Sequence, residues 1–175
     1  MKPITRRGLL KSSATAGGLS ILAIDANADV PAGRDPFDYE INRSEAEWRA
    51  LLSDGDYSIL REGSTEIPKS SPLWNETREG QYNCKGCDLP QYSSATKVVL
   101  DKGWLFFTAS EPNSQLMSQD IQGEMAEAVD LDPFDVLIEA HCRRCGSHIG
   151  HILPVIGKAL HCVNGASLNF EEIST

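Results

Sequence analysis

Residues 142–151 read CRRCGSHIGH, two cysteines at C-x2-C spacing followed at once by two histidines with a glycine between them. Two thiolates at that spacing can take one edge of a zinc tetrahedron. The matching half lies upstream at CKGC, Cys84 to Cys87, with 54 residues separating the two knuckles. Cys84, Cys87, Cys142 and Cys145 together complete a four-thiolate set, provided the fold closes a gap longer than that of a compact zinc ribbon. Such a site has no open coordination position, so it predicts a structural Zn2+, one per chain. Structural zinc supplies roughly 10–16 kcal/mol of apparent folding free energy, which matters to a domain whose net stability is about 5–15 kcal/mol. A disulfide within either knuckle would close too small a loop to constrain the chain. A crossed pair of disulfides stays open as the alternative.

Outward from the knuckles the chain is a series of short β-type runs: ATKVVL (95–100), GWLFF (103–107), DVLIEAHC (135–142), HIGHILPVI (148–156) and ALHCVNGASLNF (159–170). Gly, Pro and Asn separate them. Ser44, with Glu47 three residues on, predicts a capping box opening a short helix, with Trp48, Leu51 and Leu52 on one side. After the DGD turn, YSILREGSTEIP (57–68) reads as an extended segment closed by Pro68. The length of 175 residues, 41% hydrophobic and 23% charged, suits one mostly-β domain with one N-terminal helix and room for a second short one. That domain spans 44–175, behind a polar lead-in over 29–43 containing Pro31, Gly33 and Pro36.

The first 28 residues, MKPITRRGLLKSSATAGGLSILAIDANA, differ in kind: a basic start, a mildly apolar middle and a small-x-small ending at Ala26-Asn27-Ala28. This is the layout of a signal peptide, and Arg6-Arg7 resembles the twin-arginine type. A disordered basic tail is the plainer reading. Export predicts a periplasmic protein with no membrane span after cleavage, since the apolar run is too short for a stable anchor. The twin-arginine route carries folded proteins, so zinc would be inserted before the thiols meet oxidant. Cleavage after Ala28 removes four of the 16 basic residues and one of the 25 acidic ones, taking the formal charge from −9 to −12. Such a surface repels phosphate backbones and argues against nucleic acid as a partner. Between Gly103 and Cys142 there is no Lys or Arg, while Glu111, Asp120, Glu124, Glu127, Asp130, Asp132, Asp135 and Glu139 fall there. Most of that stretch reads as a solvated acidic loop.

A fifth cysteine, Cys162, has no partner once four are committed. Buried free cysteines commonly act as small hydrophobes. Here, though, Asn164 shares its face at i+2 on a strand and offers an amide donor beside the sulfur. Gly165 is expected to leave open space, and Gly150 to permit a bend between His148 and His151. A cysteine, an asparagine and two histidines in one short region suggest a thiol site.

The residues in order are Thr65-Glu66-x-Pro68, G-x-Y-x-C-x-x-C (Gly80 to Cys87), S-x-x-K (Ser94 to Lys97), Gly103-Trp104, C-x-x-C-x-x-H-x-G-H (Cys142 to His151) and C-x-N-x-x-S-L-x-F (Cys162 to Phe170). This order resembles the methionine-R-sulfoxide reductases of the B type from about Ser44 to Phe170. The resemblance implies a β-tent of two small antiparallel sheets with a short N-terminal helix and zinc remote from the reactive thiol. It implies Cys162 as nucleophile, Trp104 as the wall for the sulfoxide methyl group, and His148, His151 and Asn164 as site residues managing proton and solvent. Its substrate would be oxidised methionine in proteins or peptides. A sulfenic acid on Cys162 would be the product to recycle, and the reductant an external dithiol such as a thioredoxin-like protein. The chain departs from the family where GWPSF is written GWLFF, where an acidic-Gly-Pro turn is replaced by Ile152-Leu153-Pro154-Val155-Ile156, and where Arg-Tyr before the nucleophile is Leu160-His161. Asn-Ser after the nucleophile is here Asn164-Gly165. Lys102 occupies a position where some members place a resolving cysteine. A non-catalytic zinc β-tent binding module, and an enzyme acting on a small sulfur compound, are the readings these departures favour.

Overall fold

Ser44 starts the first helix, α1 (Glu45–Leu51): its hydroxyl accepts from the Glu47 backbone N–H, and the Glu47 carboxylate accepts from the Ser44 N–H. The capping box therefore forms as expected. Trp48 and Leu52 turn inward, whereas Leu51 is 53% exposed and does not belong to the apolar side. A computed structural model describes residues 37–120 and 137–173. The leader, all of the lead-in before Phe37, and the acidic residues Glu124, Glu127, Asp130, Asp132 and Asp135 lie outside the described residues.

The DGD triplet is not a turn and the residues after it are not extended: both are helical, in α2 (Asp54–Glu62). Ser53 caps it through the Asp56 N–H, Asp54 and Asp56 sit at the positive end of its dipole, and Gly63 closes it in the left-handed conformation. Tyr57, Ile59 and Leu60 are its buried residues. The β-type composition of YSIL hid these caps. Both helices then fasten onto the cysteine knuckles. Arg43 and Arg61 lie over the Trp48 ring, 4.7 and 4.6 Å from its centre. Their guanidiniums donate to the carbonyls of Gly86 and Cys145 respectively.

Nine strands among the described residues form two antiparallel sheets, as expected for the fold class. The smaller sheet is β2 (Pro90–Ser93), β1 (Gly80–Cys84) and β9 (Leu168–Glu172), in that order. The larger runs β3 (Lys97–Val98), β4 (Leu105–Phe107), β8 (Lys158–Val163), β7 (His148–Val155), β6 (Ile138–Cys142) and β5 (Gln115–Gln119). No helix of the described residues is long and apolar enough to cross a membrane.

At β4 the larger sheet buries apolar side chains on both faces, which explains the unbroken run LFF. Leu105 and Phe107 join Ile149 and Val163 in the core shared with Tyr82, Tyr92, Trp48 and Leu60. Phe106 points the other way, into a second cluster with Leu137, Leu153, Val155, Leu160 and Cys162. Phe107 stacks on Tyr92, 4.2 Å between ring centres, and the Tyr92 hydroxyl meets His161 Nδ1 at 3.1 Å, so β8 is tied to the smaller sheet.

One irregularity orders the second face. Ala140 pairs with Gly150 but His141 pairs with His148, so Ile149 is an extra residue in β7. The bulge lets His148 and His151, three apart, share a face that a regular strand would deny them. Gly150 is required by proximity: a Cβ there would collide with the carbonyl oxygen of Cys162 and lie 2.9 Å from Val163 Cα. We expect Gly150→Ala to lower the unfolding free energy by about 1–3 kcal/mol, read from urea denaturation, and to cut the reactivity of Cys162 at the same time. An alanine variant with unchanged stability would show that β8 is free to shift.

Candidate active site and metal centre

The two knuckles meet. All four sulfurs lie within 4.8 Å of one another, with Cys84 Sγ 3.7 Å from Cys145 Sγ and Cys87 Sγ 3.4 Å from Cys142 Sγ. A tetrahedral zinc at ~2.3 Å from each sulfur needs edges of ~3.8 Å, so the set fits the ion with only small adjustments. All five cysteines are free thiols, and the crossed disulfides left open by the sequence are not formed. Without a cation, bonds among the thiols push Cys142 up and hold Cys145 down, so the cluster does not ionise uniformly by itself. Gln91 Nε2 donates to Cys142 Sγ at 3.4 Å, and Ser147 Oγ lies 3.2 Å from Cys145 Sγ. Cys84 ends β1 of the smaller sheet and Cys142 ends β6 of the larger, so the metal is a tie between sheets.

On the far face of the larger sheet, Glu139, His151 and Cys162 are direct partners across β6, β7 and β8. Direct antiparallel partners point to one face. His148, brought there by the bulge, places Nδ1 2.5 Å from Glu139 Oε1, and His151 Nε2 is 3.1 Å from Asp120 Oδ2. Each carboxylate is acceptor-only when ionised, so the facing nitrogens carry the protons. Burial alone would raise Glu139, but the His141 and His148 imidazoles beside it outweigh that effect and hold the carboxyl well below the usual range. Burial first, then the neighbouring His148, lowers His151 below the usual imidazole value, so it is neutral at pH 7. Asp120 and Glu139 therefore belong to the site and not to a solvated acidic loop. The charge pattern alone could not distinguish them from their neighbours.

Cys162 is 8% exposed, and its thiol is pushed up to about 12, first by burial and then by the Glu66 carboxylate, with Lys102 opposing. Trp104 packs against the cluster that contains Cys162. Asn164 follows the end of β8, and its Oδ1 accepts from the Glu66 backbone N–H at 3.1 Å. With its oxygen so engaged, the amide keeps its NH2 as donor. Gly165 does not leave open space, because a Cβ there would run into the Ser71 hydroxyl.

Glu66 is the residue that sequence reasoning left without a role. Its carboxylate accepts from the backbone N–H groups of Gly165 at 2.6 Å and Ala166 at 3.0 Å, and its carbonyl accepts from Trp104 Nε1 at 3.2 Å. One buried side chain and its peptide thus fix the indole, the Asn164 amide and the turn after Cys162. A glutamate between Thr65 and a proline was the available signal. Gly103 serves the same contact: its φ is +92°, and a Cβ would lie 2.7 Å from Lys69 N.

The metal assignment makes a direct expectation. Protein folded under reducing conditions should hold one zinc, and chelation or Cys87→Ser should abolish the cooperative thermal transition, followed by circular dichroism and metal analysis. An unchanged melting curve in chelator would overturn it.

The SelR domain family model matches residues 52–172. The chain is 36% identical over 138 residues to the peptide methionine sulfoxide reductase MsrB of Agrobacterium fabrum, covering 77% of this chain and 95% of that protein. It is 35% identical over 135 residues to peptide methionine sulfoxide reductase B3 of Arabidopsis thaliana, covering 74% and 70%. A third relative, MsrB of Methylibium petroleiphilum, is 33% identical over 137 residues, covering 75% and 91%. Among solved structures, a Mis18 Yippee-like domain aligns with a TM-score of 0.45 at 16% identity, over 56% of this chain and all of that one, and carries no argument. With its sheets, its four-thiol cluster and its family match in agreement, the chain belongs to the SelR family, and its activity is the reduction of methionine sulfoxide.

Proposed function

We propose that Cys162 is the nucleophile, that His151 and His148 carry the proton, and that the substrate is methionine-R-sulfoxide in proteins or peptides. The observation that carries this is the row Cys162–His151–Glu139 across three adjacent strands, with His148 added by the bulge. The reaction breaks the sulfoxide S–O bond and the thiol S–H bond, and forms an S–O bond on Cys162 and an O–H bond. Cys162 sulfur attacks the sulfoxide sulfur, the oxygen is transferred, and the products are methionine and a Cys162 sulfenic acid. The thiol proton ends on the transferred oxygen, so no external proton is consumed. At a value of about 12 only ~1 thiol in 10^5 is ionised at pH 7. A base must therefore take the proton as the sulfur attacks, and the neutral His151 opposite Cys162 is placed to accept and return it. Glu139 holds His148 with Nδ1–H toward the carboxylate, so its other nitrogen faces away from that bond.

The indole of Trp104, anchored on Glu66, offers an apolar wall for the methyl group, while the Asn164 amide offers a donor for the oxygen. A pocket polar on one side and apolar on the other distinguishes the two epimers. Cys162 is the one thiol outside the four-cysteine cluster. Recycling then takes two steps by an external dithiol: one thiol attacks the sulfenic acid, releasing water, and the second releases Cys162. The leader with Arg6-Arg7 supports a periplasmic site of action and a thioredoxin-like donor there.

The purified mature chain with dithiothreitol should turn over the R epimer of a methionine sulfoxide peptide and leave the S epimer. Cys162→Ser should lower that rate by at least about 10^3-fold while retaining zinc and fold. Turnover of both epimers, or of neither by zinc-loaded protein, would overturn the reading. Because the thiol is held up near 12, its alkylation by iodoacetamide should rise about tenfold per pH unit from pH 7 to 10 without a plateau. A plateau with a midpoint below pH 9 would mean that the resting site stabilises the thiolate.

A further inference from the structure

The four-cysteine cluster accounts for one metal. The described residues hold a second group, Glu139, His141 and His148, in which one carboxylate oxygen and two ring nitrogens lie within 4.8 Å of one another. Glu139 and His141 are i and i+2 on β6, and His148 is the direct partner of His141 on β7. All three ligand atoms therefore project from rigid strands on one face. Glu139 Oε1 is 2.5 Å from His148 Nδ1 and 2.8 Å from His141 Nε2.

Hydrogen bonding does not account for this group completely. His141 is 8% exposed, and its Nε2 is shielded from solvent yet forms no aligned hydrogen bond, despite its distance from Glu139. A buried ring nitrogen left without an aligned partner is costly. It is aimed at a carboxylate and a second imidazole, which is how a ligand is aimed at an ion. We propose that Glu139, His141 and His148 form a second divalent-metal site, distinct from the four-cysteine site and taking a borderline first-row ion of the Zn2+ or Co2+ class. Two imidazoles and one carboxylate favour such ions over Mg2+ or Ca2+, which prefer all-oxygen sets. Three protein ligands leave positions open, unlike the closed thiolate site. Ligand bonds of ~2.0–2.2 Å place neighbouring donors of a tetrahedral ion ~3.3–3.6 Å apart, so seating the ion opens the present contacts by roughly 0.5–1 Å. It also removes the Nδ1 proton of His148, because a ligating nitrogen must be neutral and unprotonated.

Binding stands independently of the reductase reading. One consequence rests on that reading: an ion on His148 and Glu139 withdraws both from proton handling next to His151 and Cys162, so occupancy inhibits sulfoxide reduction reversibly.

The test uses mature protein carrying one zinc in its thiolate site. In a Cys162→Ser background, which removes the other thiol, Co2+ is titrated and total metal is measured after equilibrium dialysis. We expect a second equivalent with weak visible bands and no intense thiolate charge transfer. His141→Gln and, separately, Glu139→Gln should weaken it by at least about tenfold, the loss that even an outer partner brings. Retained zinc stoichiometry and circular dichroism show that each variant folds. Saturation at one metal per chain, or a second equivalent held equally well by both variants, overturns the site. In the second arm, single-turnover formation of methionine is followed in wild-type protein without added thiol, which would chelate the ion. Zn2+ should suppress it, and His141→Gln, each rate being taken relative to that protein's own metal-free rate, should require at least tenfold more Zn2+ for the same fractional loss. Equal inhibition of both proteins overturns the assignment. A bound second equivalent with undiminished turnover overturns the inhibitory consequence alone. No turnover in any protein defeats the reductase reading and leaves the binding result to decide the site.

Discussion

Four thiols drawn from two different sheets must occupy one small volume, and much of the architecture follows from that requirement. Cys84 closes β1 and Cys142 closes β6, strands that share no hydrogen bond. The cluster is therefore a cross-link between sheets and does the work that a larger core would otherwise have to do. Helix α2 and two irregular segments serve the same end. Arg61 reaches the Cys145 carbonyl, Arg144 reaches that of Cys87, and the Ile41 N–H donates to the Arg144 carbonyl. Each of these bonds satisfies a backbone group of a knuckle that the sheets leave over.

With the sheets joined, the larger one has two buried faces of different character. One is conventional core. The other mixes apolar side chains with Glu139, His148, His151 and Cys162, and the low dielectric there gives these groups their chemistry. Burial makes the Cys162 thiolate costly and keeps His151 neutral. The same burial makes Glu139 dependent on its two imidazoles for its charge. Where the family places Arg and an acidic turn, this chain has Leu160 and Leu153, cross-strand partners in the cluster around Cys162. The surround of the sulfur is correspondingly apolar, and it attracts the thiolate less than an Arg would.

Glu66 shows how a connecting segment with no regular structure supports chemistry on a sheet. Its side chain holds the turn after β8 and its peptide holds both the indole and the amide. Desolvation pushes its own carboxyl up, and the two backbone N–H groups oppose that effect. Those same bonds are what orient the neighbours.

Local chemistry sufficed for much of this protein. The C-x2-C spacing selects zinc because two thiolates across one turn match a tetrahedral edge, wherever in a fold they lie. The capping box at Ser44 and the alternating runs are likewise properties of a few adjacent residues, and they were legible as α1 and the strands. So was Cys162 as the thiol left over. The second helix was misread because β-branched and aromatic residues outweighed the Ser53 cap and Gly63, and packing of Tyr57 and Leu60 settled the matter. Tertiary structure alone decided which acids matter. Asp120 and Glu139 are ordinary members of an acidic run until strand register sets each beside a histidine 31 or 9 residues away. The bulge at Ile149 has no signature beyond Gly150, and what requires that glycine is the carbonyl of Cys162 on another strand. Register and close approach are relations between distant segments, and no local pattern encodes a distance to a residue that only folding brings near.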